Sequence, residues 1–398
     1  MTDLDPWRPL REQTRRAAAE LRSHALSAER DPDTVVRLAG LELPLRLATL
    51  CVPREFNPFP PTADGRRYDL TRIMDQAVFF EEAAWGDMGL VLAAPGCLLS
   101  GAMVARLGDR TQQEWFYGRL VERRPSWTFL AMTEPAHGSD GAGVQAELTV
   151  SPDDSEPCRL NGTKTFIGNA ARADTGVVVA RTGPGPLGIR SVLVDTGTPG
   201  FTAAHLATVG LGGLLGTMTF DDVEIPRSRL LGSHLPATRR GMWGWMTAFN
   251  GLRTVVAAMG VGLARAAYEY VRDERPALHG TARHRLDAIG ARIESVRRLT
   301  HRAAAAVDHN PADGALASAA KAAAARLAED VTQESLTFFG PGARLDQPLL
   351  DKWARDALGM EFMEGTGNIQ RLNVAGALLR GSLDPAGCPP ATAEGVRS

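Results

Sequence analysis

Apolar residues recur at helical spacing from about Pro9 to Arg124, as in LREQTRRAAAELRSHAL and IMDQAVFFEEAAWGDMGLVLAA, with the proline-rich VPREFNPFPPTADG between these two stretches. The period changes between Trp127 and about Leu231. Short apolar runs such as TGVVVA and SVLVDT alternate there with Gly, Pro and Asp-rich turns, which predicts antiparallel β structure, and RLNGTKTFI carries an Asn-Gly hairpin signal at Asn161-Gly162. Beyond Pro226 long helical patterns return in GLRTVVAAMGVGLARAAYEYVRDE, HRLDAIGARIESVRRLTHRAAAAV and GALASAAKAAAARLAEDVTQESLTFF. Helices so rich in alanine on several faces pack against one another, as in a bundle. Helical, β and helical blocks in series, without βαβ alternation or internal repeat, predict an α+β chain. The expected boundaries are 1–125, 126–235 and 236–384, with a Pro, Gly and Ala-rich tail at 385–398 expected to be disordered.

Composition narrows the function classes. A chain of 398 residues divides into two or three packed units. A net charge of -2 gives no global field to recruit nucleic acid or an anionic membrane, so any polyanionic ligand is held locally. Cys51, Cys97, Cys158 and Cys388 form no CxxC pair, and neither His279 with His284 nor His301 with His309 has the i, i+4 spacing of a helical zinc site. No metal is expected. The charged start MTDLDPWRPLREQ and the lack of an apolar run of about 20 residues predict a soluble, cytoplasmic protein.

Two glycine-rich segments are decoys. Gly183, Gly185 and Gly188 spell GxGxxG, but GPGPLG contains two prolines and leads into a β run, so it reads as a hairpin loop; VGLGGLLG likewise leads into the strand-like MTFDDVEIP. Ser139, in AHGSD, lacks the GxSxG context of a nucleophile elbow.

Three segments carry chemistry, each with a plainer alternative. In FLAMTEPAHGSD (129–140), Thr133 and Ser139 offer hydroxyls and Gly138 lets backbone approach a ligand, although a polar turn leaving a strand would look the same. In LNGTKTFIGNAARAD (160–174), Phe166 suits stacking on a flat ligand or plain core. In MEGTGNIQRL (363–372), Glu364 and Thr366 suit an acid-bearing site or the start of a helix capped by Thr366.

Taken in order, these segments resemble the acyl-CoA dehydrogenase family. FDDVEIPRSRLLG (220–232), AFNGLRTVVAAMGVGLA (248–264) and WARDA before Glu364 extend the resemblance over most of the chain. It implies an N-terminal helical domain, a middle antiparallel β-barrel-like domain and a C-terminal four-helix bundle. It also implies FAD as cofactor and α,β-dehydrogenation of an acyl-CoA or acyl-carrier-protein thioester, with Glu364 taking the Cα proton. Leu130, Met132, Thr133, Gly138, Ser139, Phe166, Gly168, Thr366 and Asn368 would contact flavin, and Ser139, Asn250, Arg253 and Gly365 the thioester ligand. Arg253 otherwise reads as a helix-surface residue. Gly251 and Leu252 offer no carboxylate where some branches keep their base, which leaves Glu364.

The chain departs from the family at several points. Gly168 stands where a threonine hydroxyl usually faces flavin N5; Arg275 matches an arginine that reaches a neighbouring subunit's flavin diphosphate, but Leu278 and Leu286 replace its usual companions, and LTFFGPG keeps only Gly340 and Gly342 of a longer glycine pattern. These departures suggest a divergent branch, with a link to secondary metabolism hinted at by VPREFNPF. The implied partners are an electron acceptor such as an electron-transfer flavoprotein and further copies of the chain in a homotetramer or homodimer. An oxidase or N-oxygenase on the same scaffold is the alternative that Gly168 encourages. A helical scaffold that has lost flavin is the non-enzymatic one.

Overall fold

The computed structural model describes residues 5–383 except 60, 61, 64, 69, 123, 124 and 154, so the tail expected at 385–398 lies outside the described residues. Amphipathic RPLREQTRRAAAELR forms α1 (Arg8–Arg22), which turns Leu10, Ala17, Ala18 and Leu21 inward. It packs on α2 (Ile73–Ala93), in which every residue from Asp75 to Ala84 is buried. The acids that α2 carries inside are paired: Glu81 with Arg265 and Arg297, and Glu82 with Arg15 and Arg265. The short helices α3 (Leu98–Leu107) and α4 (Arg110–Glu122) follow.

The strands β1 (Thr128–Ala131), β2 (Glu147–Thr149), β3 (Cys158–Gly168), β4 (Thr175–Arg181), β5 (Ile189–Asp195), β6 (Phe201–His205) and β7 (Leu215–Ile225) form one seven-stranded sheet, ordered β1-β4-β2-β3-β7-β6 with β5 on β4. TGVVVAR and IRSVLVD are buried on both faces, which accounts for their unbroken apolar runs. GPGPLG connects β4 to β5 as an antiparallel hairpin, as its prolines predicted.

Two expectations are corrected. β1 runs parallel to β4, from Thr128 beside Thr175 to Ala131 beside Val178. The intervening β2–β3 excursion serves as the long crossover that a parallel pair requires. Asn161-Gly162 makes no hairpin: it lies inside β3, where the register against β7 slips between Leu160 and Gly162. Gly162 has φ 137°, and a Cβ there would stand 2.8 Å from the Cα of Ala146. The glycine therefore serves a bulge over which β2 approaches, not a turn.

The C-terminal region holds α5 (Met242–Glu274), α6 (Gly280–His309), α7 (Ala315–Leu336), α8 (Pro348–Gly359) and α9 (Gly367–Leu379). α5 runs between α2 and α7, and α6 packs on both α5 and α7. Ala237–Glu274, which contains α5, is long and apolar enough to cross a membrane by length and composition, but 83% of its apolar window is buried inside the protein.

A buried triad ties the three regions together. Asp87 breaks the helical geometry of α2 (φ -161°, ψ 117°), and its Oδ1 accepts the Leu90 N–H, restarting the helix. Lys352 of α8 donates to both Asp87 oxygens, at 2.9 and 2.7 Å, and to Asp356 at 2.6 Å. Asp356 in turn accepts the Leu211 N–H, from the loop before β7, at 2.6 Å. All three side chains are buried, as are the other two lysines, Lys164 and Lys321.

Candidate active site

Glu364 occupies the turn between α8 and α9, with φ at 50°, and Gly365 after it has φ 97°. Only five described non-glycine residues adopt a positive φ, and Glu364 and Phe166 are two of them. Such geometry costs energy and persists only where neighbours hold it. At this turn the neighbours are side chains that bind its carbonyls. Gln370 Nε2 donates to the Glu364 and Gly365 oxygens, both at 3.0 Å, and Arg253 Nε donates to the Glu364 oxygen at 3.3 Å. Lys321 Nζ donates to the Glu361 oxygen at 2.9 Å and the Gly365 oxygen at 2.7 Å.

Thr366 is the N-cap of α9, accepting the Ile369 N–H at 3.5 Å, so the plain helix-start reading holds for Thr366. Glu364 lies two residues ahead of that cap, outside the helix. Its Oε2 is shut off from solvent without a hydrogen-bond partner among the described residues. Burial pushes the carboxyl up to about 7, opposed by the nearby Lys321 and Arg253 cations. Arg253 is buried, which overturns its helix-surface reading; its Nη1 donates to Asn250 Oδ1 at 2.9 Å, and desolvation lowers its pKa.

The opposite wall is built by β1 and β3. Leu130 and Met132, at and beyond the end of β1, pack on the cluster that includes Trp245 and Phe249 of α5, which brings them to the helix that carries Asn250 and Arg253. The loop from Thr133 onward stays close to that helix, since a Cβ on Gly141 would stand 3.4 Å from the Trp245 ring, and Gly138 and Ser139 are exposed in it. Buried Lys164 supports this loop from beneath, donating to the Met132 oxygen at 3.0 Å and to Glu134 at 2.8 Å.

Phe166 sits at the second register slip of β3, between Lys164 and Ile167, with φ 57° and 57% exposure. A large ring turned outward by a strained bulge is not plain core; bulges beside sites re-aim side chains in this way. Gly168 follows, half-exposed, where an added Cβ would meet only Leu214 Cδ1, at 3.8 Å. The Leu211–Leu214 loop then connects this wall to the base: Leu211 is bound by Asp356, and a Cβ on Gly359 would lie 2.5 Å from Leu211 Cδ1 and 3.7 Å from Met363 Cε, next to Glu364.

The remaining candidates lie elsewhere. Arg275 ends α5, 22 positions beyond Arg253, about 33 Å along the helix at 1.5 Å per residue. There it faces Phe339, next to exposed Gly340 and Gly342. Asn368 is exposed on α9 and accepts from Arg371. Sequence reading missed Lys321 and Gln370, the two fully buried polar side chains that hold the base turn. For Lys321 a signal existed: one lysine in SAAKAAAARL, among alanines that face the core.

These walls offer particular features to a flat aromatic ligand. The outward ring of Phe166, the exposed Gly138-Ser139 loop and the unpartnered Glu364 oxygen are the features such a ligand, with a thioester beside it, would engage.

Comparisons with known proteins bear on the family and the fold. Residues 130–223 match the family described as acyl-CoA dehydrogenase, middle domain, and residues 239–379 match acyl-CoA dehydrogenase, C-terminal domain. An acyl-CoA dehydrogenase of Bacillus subtilis (strain 168) is 31% identical over 266 residues, 64% of this chain and 68% of that one. The butyryl-CoA dehydrogenase of Megasphaera elsdenii has a similar fold, with a TM-score of 0.79 at 24% identity over 93% of this chain and 98% of that one. So does the prolyl acyl carrier protein oxidase AnaB, with a TM-score of 0.77 at 18% identity over 94% and 99%.

Proposed function

Because the chain belongs to the acyl-CoA dehydrogenase family, and is therefore an oxidoreductase, we propose that it removes hydrogen from Cα and Cβ of an acyl thioester, with Glu364 as the base. One observation carries this reading. Glu364 presents a carboxylate oxygen that is hidden from solvent, unpartnered and raised to about 7. A group in that state accepts a proton near neutral pH and gives it up again, as a general base must.

The Cα–H bond breaks with its proton going to Glu364 Oε2, while the thioester carbonyl takes up the developing negative charge. The backbone N–H of Glu364, in its left-handed turn, is the donor we assign to that oxygen. Arg253 and Asn250 fix the turn from α5, and Ser139 and Gly365 flank the ligand. FAD, when bound, supplies the acceptor for the hydride that leaves Cβ. Leu130, Met132, Thr133, Gly138, Ser139, Phe166 and Gly168 form its wall in this reading, with Thr366 and Asn368 on the other side. Arg275 is too far along α5 to serve the same site, and Gly340 and Gly342 lie beside the Phe339 that it faces, which favours their reaching a second copy's cofactor in a homodimer or homotetramer. The same reading puts the enzyme in the cytoplasm, passing electrons to an acceptor such as an electron-transfer flavoprotein.

Gly168 favours a second reading, an oxidase. It leaves open space where a side chain could meet the flavin, and the similar fold of a carrier-protein oxidase makes oxygen a candidate acceptor. One experiment addresses both readings. The flavin-loaded protein is mixed anaerobically with saturated acyl-CoA and acyl-carrier thioesters of varied length, and flavin absorbance is followed before and after admitting oxygen. Bleaching by at least one thioester is the expected result, and no bleaching across the panel would remove the dehydrogenase assignment. Slow recolouring in air marks a dehydrogenase, and rapid recolouring with hydrogen peroxide release marks an oxidase.

A further inference from the structure

Lys321 belongs to neither wall of the site, yet it binds the base turn on both sides of Glu364. It projects from the alanine-rich first half of α7 into an interior where its side chain has no exposure. Burying an ammonium is expensive unless its protons are used. Here two are used on one short turn: the Glu361 oxygen at 2.9 Å and the Gly365 oxygen at 2.7 Å, on either side of Glu364.

We propose that Lys321 is a positioning residue for the catalytic base: from inside the helical bundle its ammonium bridges the two carbonyls that flank Glu364 and holds that residue in its left-handed turn, with Oε2 facing the ligand space. This rests on the reading of Glu364 as base. A backbone N–H in the same place could hold one carbonyl. A lysine holds two and adds a charge.

That charge acts on Glu364 as well. Burial raises the carboxyl, and Lys321 is the larger of the two cations that pull it back to about 7, Arg253 on α5 being the other. The interaction is reciprocal. Lys321 is lowered to about 8: desolvation pulls it down most, Glu361 and Glu364 on the turn oppose this, and Arg253 adds to it; Gln370 of α9, which also binds the turn, is uncharged. Without Lys321 the carboxyl would stay protonated to higher pH and the turn would lose two of its hydrogen bonds, so base and geometry would fail together.

The test pairs Lys321→Met, which keeps the volume and removes the charge, with Leu327→Ala, a core truncation on the same helix that does not touch the turn. In the flavin-loaded enzyme, Lys321→Met is expected to lower kcat about 100-fold, the scale on which misplacement of a reacting group acts. KM should change less than about threefold, and the acidic limb of the pH profile should move up. Leu327→Ala should move neither limb nor kcat by comparable amounts. A Lys321→Met enzyme with wild-type kcat and an unmoved limb would overturn the proposal.

A second measurement needs neither turnover nor a folded Lys321 variant. With three lysines in the chain, selective 15N-lysine labelling gives at most three ammonium signals, assignable through Lys164→Arg and Lys352→Arg, which keep the buried positive charge. In Glu364→Gln the Lys321 titration should move to lower pH, because a neighbouring negative charge is gone. An unchanged Lys321 titration would also overturn the proposal, even if no thioester were ever oxidised, so its failure is separable from failure of the dehydrogenase reading.

Discussion

Glu364→Gln is expected to retain flavin and to bleach with thioester about 100 to 10,000-fold more slowly than the native enzyme, the range that general-base catalysis contributes. The amide keeps the shape of the turn and the contacts to its carbonyls, which come from Arg253, Gln370 and Lys321 and never touch the side chain. Only the proton acceptor is lost. Stopped-flow absorbance under anaerobic conditions measures the rate, and a variant bleaching at the native rate would take Glu364 out of its role.

The same variant should be more stable than the native protein in mild alkali. The Glu364 carboxyl is raised from 4.5 to about 7 in the fold, so between those values the native state keeps a proton that the unfolded chain gives up. Stability therefore falls as pH rises through that window, and the loss is complete above about 7. At 1.36 kcal/mol per unit the loss is of the order of 3 kcal/mol, a penalty the glutamine does not incur. Denaturation at pH 8 and pH 5 should show the advantage of the variant at pH 8 and its disappearance at pH 5.

The largest loss of stability is expected at Lys352→Met. The lysine is the sole cation binding both Asp87 and Asp356 in the triad, and both carboxylates are fully buried. Removing one partner from a buried ion pair and stranding the other costs about 3 to 5 kcal/mol, and here two charges are stranded. Burial already raises the Asp356 carboxyl against the pull of Lys352, so without the ammonium it should hold its proton to higher pH, and the damage should be greatest at pH 8 and smaller at pH 5. Urea midpoints at the two pH values give the answer. A loss under about 1 kcal/mol at pH 8 would mean that water or backbone replaces the lysine. Because Asp356 also holds the Leu211 N–H, the Leu211–Leu214 loop that lies between Gly168 and the Gly359–Met363 segment should loosen as well.

The period of apolar residues was enough to read the α+β class and the order of its parts, because burial on one face or on all faces writes itself into spacing. The Asn161-Gly162 signal misled for a physical reason: a hairpin and a bulge both need a glycine free of Cβ, and only the approach of Ala146 tells them apart. The parallel register of β1 on β4 joins residues about 47 apart, beyond any local pattern. At the site, residue types were legible and backbone was not. Nothing in TKTFIGN states that Phe166 is turned outward by a bulge, and nothing in MEGTG states that Glu364 adopts a positive φ. Lys321 and Lys352 escaped because a lysine within an alanine-rich or mixed helix does not announce carbonyls or carboxylates far away in the chain. Arg275 was legible as an arginine but not as one so distant from Arg253, since only the unbroken length of α5 sets that separation.

The burial of every lysine has a chemical consequence. With Lys164, Lys321 and Lys352 all inside, no lysine ammonium contributes to the charge of the folded surface. Amine-directed acylating reagents, and any acetyl or ubiquitin ligase that targets a lysine side chain, find no ε-amine on the native surface. Each ε-amine they modify was exposed by an opening of the fold, so the extent of lysine acylation over time is a direct clock of how often this protein unfolds.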